Sequence, residues 1–473
     1  MRVKLLLINP CNPVVSMSKI QRWNRLNKFR VWKPLGLLIL ARLTPPSWEV
    51  EVLDENLGLI EAQALSRPDL VGITAFSCQA TRAYELAALF RARGVPVVMG
   101  GIHATMRLGE ALGHVDAVVT REAELVWPRV LADVQAGTLQ RVYAGGPVPM
   151  AEIPPARHDL LARRYLFGSI QVTRGCPLNC SFCSVTAFNG GQFRHRPIAN
   201  VIAELHQIRE RRILFVDDNL VGTRRDHIAY AKDLFRAMIR EGLTRPWICQ
   251  ATINFGDDDE LLDLAARAGC QGVFIGFESP TVEGLIALRK KFNIRKEGDW
   301  RAAVRRIQSH GITVMGSFIL GIDTDRPGIG ASTARAAEDY RLDMANVQIL
   351  TPLPGTALFE KLEREGRIIA NSYPADWQYY TFSHPVSQYL HFTGSELVRE
   401  VNQFHDRFDS YPKILVRVLG TVLHTRNPQK VLLGLITNLT CRYNHLLDRK
   451  VDALRSAPPE TASPTHGLRP QED

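Results

Sequence analysis

Two stretches of this chain alternate short, β-branched apolar runs with segments of helical spacing, and this alternation restricts the fold more than any other feature. In the first 145 residues the apolar runs are 3–8, 50–53, 71–74, 97–99 and 117–119, and the helical segments are 35–43, 80–93 and 122–134. Such alternation predicts an α/β domain with a doubly wound (Rossmann-like, flavodoxin-like) parallel sheet. Ligands bind such a sheet at the carboxyl ends of its strands.

A second alternation follows a segment rich in Gly and Pro, residues 146–165, which we interpret as a linker. The predicted strands are 170–173, 213–216, 247–252, 273–277, 313–318 and 347–350. The predicted helices are 199–210, 226–241, 258–268, 282–290, 300–310 and 331–340. Six successive βα units predict a partial (βα)6 barrel of the TIM type over residues 166–370. Its site should lie at the carboxyl ends of the strands.

The rest of the chain divides into a mostly helical region, 371–456, and a tail, 457–473. In the helical region an apolar stripe with helical spacing comprises Ile414, Leu415, Val418, Leu419, Val422 and Leu423. Such a stripe is more often a face that packs on a core than a lipid-binding face. The tail is rich in proline and small or polar residues, and we predict that it is disordered.

The charge balance leaves several kinds of partner open. The chain has 58 Lys and Arg against 48 Asp and Glu, a net charge of +10, with the excess concentrated in residues 19–33 and 411–455. Such segments can meet nucleic acid, an anionic membrane or an acidic ligand, and solvated surface explains them equally well. No apolar run is long enough to span a membrane, and the amino terminus resembles a first strand more than a secretory signal. We therefore expect a cytoplasmic protein.

Three of the eight cysteines, Cys176, Cys180 and Cys183, fall within eight residues directly after a predicted strand. In a cytosolic chain such a cluster indicates a metal site more than a disulfide. Zinc usually takes a fourth Cys or His, commonly from a second CxxC pair, and none is evident near by. A [4Fe–4S] cluster normally has four Cys ligands, so three would leave one iron open. An open iron favours a reactive site over a structural one.

This CxxxCxxC segment resembles the signature of radical S-adenosylmethionine (SAM) enzymes. The resemblance implies that the three thiolates hold a [4Fe–4S] cluster whose fourth iron binds the amino and carboxylate groups of SAM. Reduction, by a donor such as flavodoxin or ferredoxin, then cleaves SAM to methionine and a 5′-deoxyadenosyl radical. Phe182 matches the aromatic residue that packs on the adenine in this family.

Segments at other predicted strand ends also match the family. Asp217 and Asp218 fall where the family places groups that hold the methionyl ammonium, with helix capping as the alternative role. Gln250, on the third strand, is expected to reach the same ligand or the substrate. Glu278 and Ser317 lie in segments that resemble the fourth-strand and fifth-strand segments beside SAM.

A doubly wound domain before such a barrel resembles the cobalamin-binding subclass, through segments 53–56, 72–77 and 98–105. The resemblance implies Thr74, Ser77, Gly100, Gly101 and His103 as cofactor-binding residues, because glycines let a backbone approach a flat ligand and hydroxyls can bond the nucleotide tail. The alternative for His103 is a loop histidine whose hydrogen bonds are satisfied within the protein.

Two departures from the subclass are visible. The segment after the first strand lacks the DxHxxG motif that supplies an axial His in cobalamin mutases. This leaves open a cobalt without a protein ligand below it, or a domain that has lost cobalamin. Arg121 stands where relatives usually show the first Gly of Gly-Glu-x-Glu, and we expect it to alter the contact between the domains.

The resemblance covers residues 1 to about 400 and is to the group of the anaerobic magnesium-protoporphyrin monomethyl ester cyclase and the hopanoid methylases. It implies cobalamin-dependent methylation of an unactivated carbon in a small, hydrophobic or secondary-metabolite substrate. One alternative is an oxidative cyclisation or ring rearrangement without methyl transfer. An RNA-modifying or nucleic-acid-binding protein is the alternative of another class, which we disfavour because no recognisable RNA-binding module follows the barrel. The basic, apolar region 411–455 leaves open peripheral contact with the inner face of the membrane.

Overall fold

The computed structural model describes residues 3–12, 32–61, 64–161, 165–294, 300–425 and 428–456. Most of the basic segment 19–33, and the whole tail from residue 457, lie outside the described residues. No helix within the described ranges is both long enough and apolar enough to cross a membrane.

The first unit is built on a six-stranded sheet in which every pairing is parallel. Its strands are β1 (Val3–Asn9), β2 (Trp48–Asp54), β3 (Leu70–Thr74), β4 (Val97–Gly100), β5 (Ala117–Thr120) and β6 (Val142–Ala144). The spatial order is β2-β1-β3-β4-β5-β6, so the prediction of a flavodoxin-like sheet is confirmed. The sequence did not reveal β6, because only its central residue, Tyr143, is buried.

The helices of this unit are α1 (Leu35–Leu43), α2 (Ala80–Ala92), α3 (Gly101–Met106), α4 (Leu108–His114) and α5 (Trp127–Ala136). The helix predicted from residue 122 begins only at Trp127. The residues before it form a loop whose Glu122 and Glu124 pair with arginines of the second unit. Because the strand order reverses between β1 and β3, the ligand crevice of such a fold lies at the carboxyl ends of these central strands.

The second unit contains a six-stranded parallel sheet. Its strands are β7 (Gly168–Ile170), β10 (Ile213–Phe215), β11 (Trp247–Ala251), β12 (Cys270–Glu278), β13 (Thr313–Leu320) and β14 (Met344–Ile349). Their spatial order is β14-β13-β12-β11-β10-β7, which confirms the predicted partial barrel. The single strand predicted over 170–173 is wrong. The chain leaves the sheet after Ile170, and a separate antiparallel hairpin follows, made of β8 (Thr173–Arg174) and β9 (Arg194–His195).

The helices of the barrel are α6 (Ser184–Asn189), α7 (Ile198–Gln207), α8 (Arg225–Arg240), α9 (Asp259–Arg267), α10 (Val282–Ala287), α11 (Lys291–Ile294), α12 (Trp300–Ser309), α13 (Ile329–Asp339) and α14 (Ala357–Arg364). Strand side chains alternate between two environments. On β11, Trp247, Cys249 and Ala251 are buried, whereas Ile248 is half-buried and Gln250 is exposed. The inner face of the barrel is therefore accessible, as a substrate cavity requires.

Residues 148–161 of the segment expected to be a linker pack on the first unit. Val148, Met150 and Ile153 are buried in the core of the first unit. The Arg157 N–H donates to the Leu38 carbonyl oxygen on α1 at 3.1 Å. The domain boundaries at 145 and 166 stay a prediction.

The last helices are α15 (Gly394–Phe408), which packs on α13, and the pair α16 (Tyr411–Thr425) and α17 (Pro428–Ser456). The core-packing interpretation of the apolar stripe on α16 is wrong for most of its described side chains. Ile414 is buried, but Leu415, Leu419 and Val422 are exposed. The apolar stripe on α16 therefore points mostly to solvent and not to the core.

Candidate active site

The three clustered cysteines lie on the loop between β8 and α6, beside the carboxyl ends of the barrel strands. Gly175 starts this loop at a φ of +83°, and a Cβ there would lie 2.2 Å from the Gln192 carbonyl oxygen, so the position requires glycine. The middle of the loop is fixed through Ser181. Its N–H donates to the Leu288 carbonyl oxygen at 3.1 Å, and its carbonyl accepts from the Leu358 N–H at 2.9 Å.

The cysteine side chains are close enough to influence one another. Burial raises the pKa of all three thiols, and that of Cys180 to about 12, where the neighbouring Cys183 and Cys176 also raise it. The positive charge of Lys290 acts in the opposite direction on each thiol. The thiols are therefore protonated at neutral pH until metal binding displaces their protons.

The three thiols are the candidate ligands of a metal centre. A donor set of clustered thiols suits an iron–sulfur cluster, whose irons take thiolate ligands. Within the described residues, no group of three or more His, Cys, Asp or Glu side chains is placed to hold a single metal ion.

Asp217 and Asp218 occupy different environments. Asp217 is fully buried, and its Oδ1 accepts from the Val172 N–H at 3.0 Å and the Thr173 hydroxyl at 2.7 Å. Burial raises its pKa to about 7. These bonds hold the chain where it leaves β7, which favours a structural role over the expected contact with an ammonium group. Asp218 is half-buried and accepts from the Gly175 N–H, and burial raises its pKa to about 6.

Glu278 ends β12 in a left-handed conformation, with a φ of +69°. A non-glycine residue in this region costs about 1 kcal/mol or more and is common at functional sites. Its carboxylate accepts from the Lys290 Nζ at 2.9 Å, and both side chains are buried. Burial alone would lower the pKa of Lys290, but Glu278 and the cysteines raise it. Lys290 therefore places a positive charge beside the three thiols, and Glu278 holds that side chain in position. Sequence reasoning missed Lys290, because neither spacing nor motif distinguished it from its neighbours.

The other expected barrel residues lie on the cysteine loop and on two strands. Phe182 is half-buried within the cysteine loop, Gln250 is exposed on β11, and Ser317 on β13 pairs with Gly276 of β12. Sequence reasoning did not single out Asn346 and Gln348 of β14, which are half-buried between buried neighbours. Their alternation with Ala345, Val347 and Ile349 was the available signal.

The first unit presents a crevice with little room for side chains. Thr74 ends β3 and pairs with Gly100, which ends β4, and both are half-buried. Gly101 has a φ of +89°, and a Cβ there would lie 2.6 Å from the Thr74 hydroxyl oxygen. Backbone is thus exposed where a flat ligand can approach it closely.

Ser77 and His103 do not belong to the open part of this crevice. His103 is fully buried, and its Nε2 lies 2.9 Å from the Tyr84 hydroxyl while its Nδ1 lies 3.2 Å from the Ser77 hydroxyl. The ring also meets the edge of Trp377, with centroids 5.3 Å apart. Because both ring nitrogens are engaged, the structure favours the satisfied-histidine alternative over a ligand contact. The hydroxyl of Ser77 is engaged by the same histidine.

The crevice of the first unit and the cysteine loop of the second lie beside a contact between the two units. Helix α3 of the first unit packs on α6, the helix that follows the cysteines. The barrel loop after β14 also reaches α3, since a Cβ at Gly355 would lie 2.3 Å from the Met106 sulfur. No residue of α6 is buried, and its Val185 and Phe188 are half-buried. Such an arrangement can hold two cofactors that act on one substrate.

Each of the two units matches a known protein family. Residues 170–327 match the radical SAM superfamily, and residues 29–131 match the B12 binding domain. The resemblance drawn from the sequence is therefore confirmed for both parts of the chain.

Curated relatives extend over most of the chain. It is 30% identical to the bacteriochlorophyllide d C-12(1)-methyltransferase of Chlorobaculum tepidum, with 89% of this chain and 91% of that protein covered. It is 28% identical to the hopanoid C-2 methylase of Rhodopseudomonas palustris, with 71% of this chain and 65% of that protein covered.

Solved structures share the fold. The cobalamin-dependent SAM radical enzyme OxsB, with aqua-cobalamin and SAM bound, has a TM-score of 0.68 at 15% identity, covering 93% of this chain and 71% of that one. The radical SAM methyltransferase TsrM of Kitasatospora setae has a TM-score of 0.64 at 18% identity, covering 96% of this chain and 100% of that one.

Proposed function

This chain belongs to the radical SAM enzymes that carry a B12-binding domain, and we propose that it methylates an unactivated carbon of a hydrophobic substrate. Its cofactors are a [4Fe–4S] cluster, SAM and cobalamin. When bound, these groups supply one electron, a radical-forming nucleoside and a methyl group. The observation that carries the proposal is that α6, which follows the three cysteines, packs on α3, which begins at the glycine-walled crevice.

In this proposal the chain's own residues bind the cofactors, orient them and shield the radical from water. Cys176, Cys180 and Cys183 would hold the cluster, and Lys290, held by Glu278, would keep a positive charge beside the thiolates. The helices around the strands exclude water from the outer barrel wall, which limits quenching of a radical inside. Gly100 and Gly101 leave space for the face of the corrinoid.

The barrel lumen supports a hydrophobic substrate with few polar groups. Its half-buried inward side chains are mostly apolar or amide-bearing, namely Ile248, Phe274, Met315, Met344, Asn346 and Gln348. The curated relatives named above act on a bacteriochlorophyllide and on hopanoids. We propose a polycyclic substrate that the apolar side chains bury and the amides orient.

The products distinguish methylation from the alternatives. With SAM, cobalamin, a strong reductant and either bacteriochlorophyllide d or a hopanoid, a methylase forms deoxyadenosine and S-adenosylhomocysteine, each in about one equivalent per methylated product. An oxidative cyclase or rearrangement enzyme forms deoxyadenosine without S-adenosylhomocysteine. Mass spectrometry with methyl-labelled SAM measures both nucleosides and the label in the product. Deoxyadenosine without labelled product would contradict methylation.

A small-molecule substrate and an external reductant follow from the family, and we propose peripheral membrane contact in addition. In the C-terminal hairpin (α16 and α17), Leu415, Leu419 and Leu432 are 59%, 53% and 56% exposed. Between residues 411 and 447 the sequence contains five Lys and Arg and no Asp or Glu. Lys413 and Arg417 pair with Glu338 and Asp409 outside this stretch. Exposed apolar side chains beside a basic stretch of chain fit an anionic lipid surface.

We expect Leu419→Glu to weaken binding to anionic vesicles by about tenfold or more, because burying one leucine contributes about 2 kcal/mol and the new charge is repelled. Ile286→Glu is the matched control, since Ile286 is 59% exposed on α10, outside the hairpin. Co-sedimentation with vesicles that contain phosphatidylglycerol measures the binding. Equal binding of both variants, or no binding of the wild type at low salt, would contradict membrane contact.

A further inference from the structure

A buried ion-pair network joins the start of the cysteine loop to the first unit. Arg174, the last residue of β8, donates from Nη1 to Glu122 Oε2 at 2.8 Å and from Nη2 to Glu124 Oε1 at 2.5 Å. Arg194, which faces Arg174 across the β8–β9 hairpin, also pairs with Glu122. The four side chains are only 7% to 17% exposed. Two arginines of the second unit thus form ion pairs with two carboxylates of the first unit.

The network is a non-covalent link between chain segments that adjoin the two cofactor-binding regions. Glu122 follows β5 by two residues, and β5 neighbours the β4 strand whose end forms the crevice. On the other side, Arg174 precedes Cys176 by two residues. Glu122 Oε2 also accepts from the Val148 N–H at 2.9 Å. A shift of Glu122 relative to Arg174 would therefore move the cysteine loop relative to the crevice.

A neighbouring contact crosses the same boundary. Arg121 adopts a left-handed conformation, with a φ of +55°, and its guanidinium donates to the Phe188 carbonyl oxygen on α6 at 3.5 Å. Its N–H donates to the Thr105 hydroxyl on α3 at 2.8 Å. The arginine expected to alter the contact between the domains is itself part of that contact.

The chemistry of the network suits positioning more than stabilisation. Burial would raise the pKa of Glu122, but Arg194, the Val148 N–H and Arg174 hold it below its usual range, so the carboxylate is charged at neutral pH. A buried ion pair loses much of its attraction to the cost of removing both charges from water. The planar arginine fork nevertheless binds carboxylates in a defined geometry, which restricts relative movement of the two units.

We propose that Arg174 and Glu122 are positioning residues that set the distance between the cysteine-bound cluster and the corrinoid. This inference rests on the proposed function, because it requires both cofactors. The substrate carbon has to be reached from both sides in one orientation, and a displacement of about 1 Å costs on the order of 10²-fold in rate.

The test measures the magnetic interaction between the two cofactors in the variant Arg174→Lys. Lysine keeps the positive charge but lacks the planar guanidinium that binds carboxylates in a fixed geometry. In protein reduced with dithionite, the Co(II) and the reduced cluster are both paramagnetic, and their dipolar coupling falls with the cube of their distance. We expect the wild-type cobalt signal in electron paramagnetic resonance to be split or broadened by the cluster. In the variant we expect this coupling to change at unchanged iron and cobalamin content, and the ratio of deoxyadenosine to methylated product to rise about tenfold.

Arg367→Lys is the matched control, because Arg367 also grips a carboxylate, Asp323, but within the second unit. Glu122→Gln replaces Arg174→Lys if the latter does not fold. A coupling that is unchanged in the soluble variant, or a wild-type spectrum that is the sum of two separate signals, would overturn the proposal. A wild type that binds no cobalamin would instead overturn the proposed function, whereas a lowered melting temperature with unchanged coupling would assign the network to stability alone.

Discussion

Replacing Cys180 with alanine is expected to abolish iron binding and to reduce SAM cleavage to below about 1% of the wild-type rate, because two thiolates do not hold a [4Fe–4S] cluster with a defined open iron. Cys180 is 8% exposed and lies between the other two clustered cysteines. The measurements are iron content after anaerobic reconstitution, the visible absorbance of the cluster and deoxyadenosine formation under a strong reductant.

Cys249→Ala is the control for this result. Cys249 is a free, buried cysteine on the outer face of β11, so the same atoms are removed at a similar burial. We expect this variant to lose about 1 kcal/mol of stability and to keep full iron and SAM cleavage. Iron retained by Cys180→Ala, or lost equally by both variants, would show that the clustered cysteines do not hold the cluster.

Gly101→Ala is expected to weaken cobalamin binding by about tenfold or more and to stop methylation while SAM cleavage continues. At a φ of +89° a Cβ is strained, and here it would also meet the Thr74 hydroxyl at 2.6 Å and the Ala75 N–H group at 3.1 Å. The backbone that forms the crevice therefore has to shift. A loss of about 1.4 kcal/mol of binding free energy lowers the affinity for cobalamin tenfold. Absorbance titration with hydroxocobalamin measures the binding, and product analysis measures the uncoupling.

The matched control for this variant is Gly113→Ala. Gly113 lies on α4 of the same unit, and a Cβ there would meet nothing within 4 Å. Alanine is favoured over glycine in a helix, so this variant should be at least as stable as the wild type and bind cobalamin normally. Normal cobalamin binding by Gly101→Ala would exclude the glycine-walled crevice as the corrinoid site.

The sequence predicted the features that depend on local periodicity and on the cysteine motif. Alternation of apolar runs indicated both parallel sheets, because a strand buried under helices on both faces has to be apolar throughout. The same reasoning failed where contacts between residues distant in sequence determine the local structure. The break after Ile170 depends on Asp217, which lies 45 residues from Val172 in sequence. The late start of α5 depends on ion pairs between Glu122 and two arginines of the other unit.

The candidate site was predictable only in part for the same reason. The three cysteines lie within eight residues of one another, so their spacing alone identifies them as candidate cluster ligands. Lys290 joins the site through its contact with Glu278, and residue type alone does not indicate such a contact. His103 fell in a segment that matches the cobalamin-binding subclass, but Tyr84, Ser77 and Trp377 enclose it. Enclosure by Trp377 brings together residues 274 positions apart, which no local pattern encodes.

The contact of Trp377 with the first unit also bears on the order in which the nascent chain matures. The Trp377 indole N–H donates to Glu110, 267 residues earlier in the chain, and its ring covers His103. The ribosome therefore synthesises the whole first unit and nearly all of the barrel before this side chain is made. A nascent chain that ends before residue 377 lacks the tryptophan that covers His103, so the first unit cannot complete this enclosure on its own.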